Sequence, residues 1–178
     1  MKRIAIVVCA MLALGTLAPQ AQSPVSTMSP IIGLWETNVE KSTYFPGPKP
    51  VAAGFVGGRN YIDRGNGLIA EVRLNVNALG QPALANVWSG KLDGVATAVF
   101  NQGDLLTFLE AGTKPMPTRA YKIVNPSTLE YTNKTGMVVN NTATLVISSD
   151  GKTLTETIKN FNAQGAQAGQ NVIVLERQ

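Results

Sequence analysis

The chain contains no histidine, and its one cysteine, Cys9, sits in the first ten residues. The lack of histidine, with Cys9 lying in an N-terminal run expected to be removed, rules out His-based general acid–base catalysis, serine triads, cysteine nucleophiles and the usual zinc sites. A metal would need a cluster of oxygen ligands instead. The 11 acidic residues occur almost singly, with no Asp-x-Asp-x-Asp loop, so neither a metal nor another cofactor is expected. Any reaction would have to use Asp or Glu as base, with Tyr, Lys or Arg as acid or oxyanion donor. Three local combinations offer those types: Tyr61 with Asp63, Glu71 with Arg73, and Arg119 with Tyr121. Of these, Tyr61, Asp63, Arg119 and Tyr121 are the catalytic candidates, in the manner of a cofactor-free isomerase, cyclase or lyase.

Each combination also has an ordinary structural reading. Glu71 and Arg73 alternate with apolar residues, which places them on a solvent face as an i, i+2 ion pair of little energetic weight. Tyr61 and Asp63 share a face beside a Gly-rich turn, where an Asp commonly caps the turn. Arg119 and Tyr121 share a face, with Tyr121 able to point inward. The segment GFVGGRN (54–60) lacks the Lys-Ser/Thr ending of a phosphate loop and reads as a strand bent by bulges. A pocket for a small apolar ligand needs aromatic walls with a few polar groups. Trp88, Phe108, Tyr121 and Tyr131 lie in mid-chain strands and are the candidate lining; ordinary core is the alternative for each.

These residues must be positioned by strands. Turn signals recur every 8–15 residues or so, among them Arg64-Gly65-Asn66-Gly67, Asp93-Gly94, Asn125-Pro126, Thr135-Gly136 and Asp150-Gly151. In LIAEVRLNV (68–76), Leu68, Ala70, Val72, Leu74 and Val76 alternate with Glu71, Arg73 and Asn75, which predicts one buried apolar face and one wet face. Asp150-Gly151 centres a hairpin, with Ala143, Leu145 and Ile147 before it and Leu154, Glu156 and Ile158 after it. About ten strands are predicted, near 32–38, 51–63, 68–76, 83–89, 92–99, 104–110, 118–124, 128–134, 137–148 with 152–161, and 170–177. Turns this short make sequence neighbours spatial neighbours. The fold class is therefore all-β, an antiparallel up-and-down meander. A long meander avoids exposed edges most completely by closing into a barrel; an open curved sheet or a two-sheet sandwich fits the same pattern.

The N-terminus reads differently. Lys2 and Arg3 precede an apolar run, Ile4 to Leu17, followed by the small and polar residues APQAQ. That is the layout of a secretory signal peptide, with cleavage expected near Ala21 and a retained anchor as the alternative. Residues 1–21 are thus assigned to the signal, 22–30 to a polar, flexible lead-in, and 31–178 to a single domain. Removing 21 of 178 residues leaves 157, takes Cys9 away and leaves thirteen basic residues against 11 acidic ones. The exported protein, periplasmic or secreted, then has neither thiol nor disulfide and no transmembrane segment. Its net charge of about +2 is too small and scattered for the basic stripe that nucleic acid needs. Oligomeric state stays open.

Two segments carry a family resemblance. Gly33-Leu34-Trp35 within GLWETNVEKSTYFPGPKP resembles the Gly-x-Trp start of lipocalins and related calycin barrels. Together with the ending SSDGKTLTETIKNFNAQGAQAGQNVIVLERQ, it resembles a group of small exported lipocalin-like bacterial proteins of unknown function. The resemblance implies that Trp35 plugs the closed end of a lipocalin-like barrel and that Arg177 packs against it. It brings no catalytic residues. The leading expectation is therefore a binding protein for a small hydrophobic or amphipathic molecule held in the barrel. A structural or protein-interaction domain working through its outer face is the second, and the cofactor-free enzyme the third.

Overall fold

The computed structural model describes residues 29–49, 57–76, 82–101 and 115–178. Among them are ten strands: β1 (Gly33–Thr43), β2 (Gly57–Asp63), β3 (Leu68–Val76), β4 (Pro82–Lys91), β5 (Thr97–Asn101), β6 (Pro117–Asn125), β7 (Thr128–Thr135), β8 (Val138–Ile147), β9 (Thr153–Phe161) and β10 (Gln167–Arg177). Each strand pairs antiparallel with its sequence neighbours, and β1 also pairs with β10, so the meander closes into a barrel. Closure decides between the barrel, the open sheet and the sandwich: among the described strands, each has a partner on both sides. The leader, residues 22–28, the 104–110 segment and Phe108 lie outside the described residues. The 92–99 segment holds a turn, in which Val95 donates its backbone N–H to Asp93 Oδ1 at 2.9 Å, before β5 starts at Thr97.

The hairpins put one end of the barrel at the start of β1 and the end of β10. Ile31, Trp35, Ile69, Leu129, Leu145, Ile147, Leu154 and Leu175 fill that end, each buried. Trp35 and Arg177 are register partners. The Arg177 guanidinium carbon lies 4.1 Å from the Trp35 ring centroid. Arg177 also donates to three carbonyls, Gly151 at 2.7 Å, Ile32 at 2.7 Å and Pro30 at 2.5 Å. One side chain thereby ties the chain's last strand to its first and to the β8–β9 turn. The indole N–H of Trp35 donates to Ile31 O at 2.7 Å, so its burial leaves no orphaned donor.

This closure explains the glycine of the Gly33-Leu34-Trp35 triplet. Gly33 has φ +132°, a region L side chains rarely adopt, and a Cβ there would sit 2.8 Å from Arg177 Nη1. Beyond Trp35, β1 bends at a bulge between Asn38 and Thr43. Ser42 repairs it: its hydroxyl donates to Asn38 O at 2.6 Å and accepts from Val174 N at 2.9 Å.

The interior overturns one expectation. In β3 the faces are exchanged: Glu71 and Arg73 point into the barrel and are buried, while Leu68 is 40 % exposed on the outside. Glu71 and Arg73 are therefore not a solvent-face pair. Alternation fixes which residues share a face, but it assigns the apolar set to the core only if nothing inside can satisfy the polar set. Here something can, as the site geometry shows.

Replacing Gly33 by Ala should destabilise the barrel by about 1–3 kcal/mol, from backbone strain and the displaced Arg177. Urea denaturation checks this; an unchanged midpoint would mean that Arg177 moves aside freely.

Candidate functional site

A layer of charged and phenolic side chains crosses the middle of the barrel. β2 supplies Arg59 and Tyr61, β3 Glu71 and Arg73, β6 Arg119 and Tyr121, β7 Tyr131, and β9 Glu156, all buried. Every one of these strands alternates, so residues two apart enter the barrel together. Glu71 Oε1 accepts from Arg73 Nε at 2.5 Å and Tyr61 Oη at 3.2 Å. Its Oε2 accepts from Arg119 Nη1, and from Tyr121 Oη at 3.0 Å. Glu156 accepts from Tyr131 Oη at 2.8 Å and Arg59 Nη2 at 3.1 Å, and pairs with Arg73 Nη2 at 3.0 Å. Arg73 thus bridges both carboxylates. A buried carboxylate is tolerated only when paired and hydrogen-bonded, and these two are.

The aromatic rings complete the layer. Tyr121 meets Trp88 and Tyr131 edge-on, with centroids 4.8 and 5.2 Å apart, and Tyr61 at 6.4 Å. Arg73 and Arg119 lie over the Tyr131 ring at 5.1 and 5.0 Å. Trp88 donates its indole N–H to Arg119 O at 3.0 Å. Its ring covers Gly90, where a Cβ would come within 2.6 Å of the indole.

Protonation follows from this geometry. Burial would raise both carboxyls, but Arg73 and Arg119 outweigh it at Glu71 and hold that group below the usual range. At Glu156, Arg73 and Arg59 also overcome burial and hold the carboxyl at about 2. Burial raises the phenols as well, and there the nearby carboxylates add to it: Tyr121 goes to about 12, and Tyr131 and Tyr61 also move upward. At neutral pH the carboxylates are therefore ionised and the phenols neutral. A cofactor-free enzyme built on Asp or Glu as base would call for an inward carboxylate with a raised pKa beside a Tyr or Arg. Inward carboxylates are present, with pKa values lowered.

Toward the other end of the barrel the layer borders a cavity of about 480 Å³. Arg73, Arg119 and Tyr131 line its inner part. Among the described residues, seven asparagines contribute to its walls: Asn86, Asn101, Asn133, Asn140, Asn141, Asn160 and Asn171, with Val99 and Ile158 as apolar patches. Arg119 Nε donates to Asn133 Oδ1, and Asn133 Nδ2 to Asn141 Oδ1, both at 2.8 Å. Among the described residues no group of three or more His, Cys, Asp or Glu is placed to hold a metal ion.

The structure brings Tyr61, Arg119 and Tyr121 together around Glu71. Asp63 is not with them: it is exposed at the strand end, where its Oδ1 accepts from Gly65 N at 2.7 Å. Trp88, Tyr121 and Tyr131 share the interior, and of the three Tyr131 reaches the cavity. Sequence reasoning singled out Glu71 with Arg73 but placed the pair on the solvent face, and it missed Arg59, Glu156 and the asparagines altogether. One signal was present for Glu156: it falls two residues after the buried Leu154 along β9, and so on the same face.

The low pKa of Glu156 sets an acid limit. Its folded value, about 2, lies below the ordinary 4.5. The ionised carboxylate therefore stabilises the fold fully above pH 4.5, and that contribution is lost as pH falls from there toward 2. Its size is on the order of 3 kcal/mol. Chemical denaturation across this window should show the loss. Glu156→Gln should flatten that slope and cost about 3–5 kcal/mol at neutral pH, because it strands Arg59 and Arg73; an unaltered slope would remove Glu156 as its source.

No family model matches the chain, and no curated protein matches it. Among solved structures it is similar to the fluorescent protein UnaG, at 14 % identity and a TM-score of 0.52, over 83 % of this chain and 97 % of that one. A mutant of UnaG aligns at 12 % identity and TM-score 0.52, over 84 % and 96 %. Rv2717c from M. tuberculosis aligns at 14 % identity and TM-score 0.49, over 84 % and 94 %. At these identities the likeness concerns the fold alone, a closed antiparallel β-barrel.

Proposed function

We propose that this protein binds a small molecule in the cavity at the open end of its barrel, and that it does so as an exported, periplasmic or secreted carrier. The observation that carries the reading is the cavity itself, whose about 480 Å³ falls within the range of small-molecule sites. Its lining moves the expected ligand from hydrophobic toward polar or amphipathic. Asparagines and two arginines dominate, while Val99, Ile158 and the Tyr131 ring offer limited apolar contact. Protonation favours binding over proton transfer. A general acid or base works best with a pKa near the operating pH, whereas Glu71, Glu156, Tyr121 and Tyr131 are all shifted away from neutrality. Export rests on the leader of residues 1–21, and no helix among the described residues is long and apolar enough to cross a membrane.

Native mass spectrometry of protein taken from the cell that makes it tests both parts. The expected spectrum shows a chain starting near residue 22 and carrying a small-molecule adduct that is released on denaturation. A bare barrel that also binds nothing in a broad ligand screen would sink the carrier reading; an intact leader would sink export.

The outer surface supports a second reading, association through one flank. Leu34, Ile62, Leu68, Leu84 and Phe100 are 36–44 % exposed on β1 to β5. Val72 and Val87, paired across β3 and β4, lie on the same outer face. Apolar patches of this kind mark contact surfaces. Sedimentation velocity at micromolar concentration should then show a concentration-dependent dimer, and a strictly monomeric profile removes self-association.

A further inference from the structure

The charged layer is not neutral. Among the described buried residues, Arg59, Arg73 and Arg119 face only Glu71 and Glu156. Both carboxylates are already saturated by arginines and phenols. One positive charge is left over, and Arg73 and Arg119, at the inner end of the cavity, bring that excess to its wall. Uncompensated buried charge is costly, so such a site favours an anion.

The hydrogen bonds point the same way. Arg119 donates to Asn133, and Asn133 donates to Asn141. The chain of donors runs outward from the guanidinium, with its carbonyl ends turned back toward the charge. It ends at the Asn141 amide nitrogen, a donor suited to an oxyanion and polarised by the arginine behind it.

One wall group asks for the opposite partner. The side-chain oxygen of Asn86 is buried and has no hydrogen-bond partner among the described residues, although Asn86 lines the cavity. An orphaned acceptor costs stability unless something donates to it. An anion alone does not; an O–H or N–H group on the same molecule does. Asn86 is the register partner of Arg73, so acceptor and positive charge stand side by side.

Resting on the reading of this cavity as a binding site, we infer that its ligand is a small oxyanion that also carries a hydroxyl or N–H group. The negative charge lies toward Arg73, Arg119 and the Asn141 amide, and the donor meets Asn86 Oδ1, which the cavity wall covers in this structure and a turn of the side chain brings to the ligand. Shape alone does not select this class, because the open-end cavity would admit a neutral molecule of equal size. Charge excludes cations, and the sparse apolar lining disfavours a plain hydrocarbon chain.

Calorimetry with matched probes tests the inference on the full mature chain. D-glucuronate, D-glucose and cyclohexanecarboxylate form one set; glycerol 3-phosphate, glycerol and propyl phosphate form the other. The hydroxylated oxyanion of at least one set should bind about ten-fold or more tighter than both its neutral and its hydroxyl-free counterpart. The set that responds distinguishes a carboxylate from a phosphate. Asn86→Ala should erase the preference for the hydroxylated over the hydroxyl-free anion while the unliganded protein melts no lower than wild type. Asn141→Ala should weaken both anions alike. If the neutral or hydroxyl-free probes bind as tightly, or if Asn86→Ala leaves the preference intact, the inference fails while the cavity remains a binding site. If no probe of any class binds and no adduct accompanies the native protein, the binding site itself falls.

Discussion

Two carboxylates held inside a β-barrel constrain everything around them. Glu71 and Glu156 are fully buried, and an isolated ionised carboxyl in such a place would unfold the domain or take up a proton. The fold meets the constraint with three arginines and three tyrosines drawn from β2, β3, β6 and β7. Because Arg119 and Tyr121 reach Glu71 from β6 and Arg59 reaches Glu156 from β2, the full network forms only when the barrel has closed. Removing one member leaves others stranded, so the layer behaves as a unit rather than as separate pairs.

That layer divides the barrel into ends of different character. On one side, Trp35 and the surrounding Ile and Leu side chains form a dry core sealed by Arg177. On the other lies the asparagine-walled cavity. Hydrophobic packing at the closed end stabilises the fold and leaves the open end free of that duty. The guanidinium groups of Arg73 and Arg119 belong to both the layer and the open end, pairing with the buried carboxylates on one side and lining the cavity on the other. The outer apolar flank on β1 to β5 follows from the same exchange of faces: with the polar residues of β3 committed to the interior, its apolar ones must face out.

Much of the fold was legible from local signals. Turn residues such as Asp150-Gly151 mark reversals, Gly151 having φ 70°, and alternation marks strands. Gly33-Leu34-Trp35 marks the closed end, since Trp35 needs burial and Gly33 must leave room for Arg177. The site was legible only in pieces. Tyr61, Arg119 and Tyr121 were singled out as pairs along single strands, whereas their shared partner, Glu71, was read as solvent-facing. Asparagines scattered from Asn86 to Asn171 carry no local pattern at all.

The amino-acid sequence by itself determined the strands, their reversals and which residues share a face, because those depend on near neighbours along the chain. Tertiary structure decided which face of β3 is the inside. A polar face is buried only when partners from other strands satisfy it, and those partners are far away in the chain: Arg119 lies 48 residues from Glu71, and Arg59 lies 97 from Glu156. Periodicity records phase and not sign. The sign is set by the energy of pairing charges across a closed barrel, which exists only once β1 has met β10.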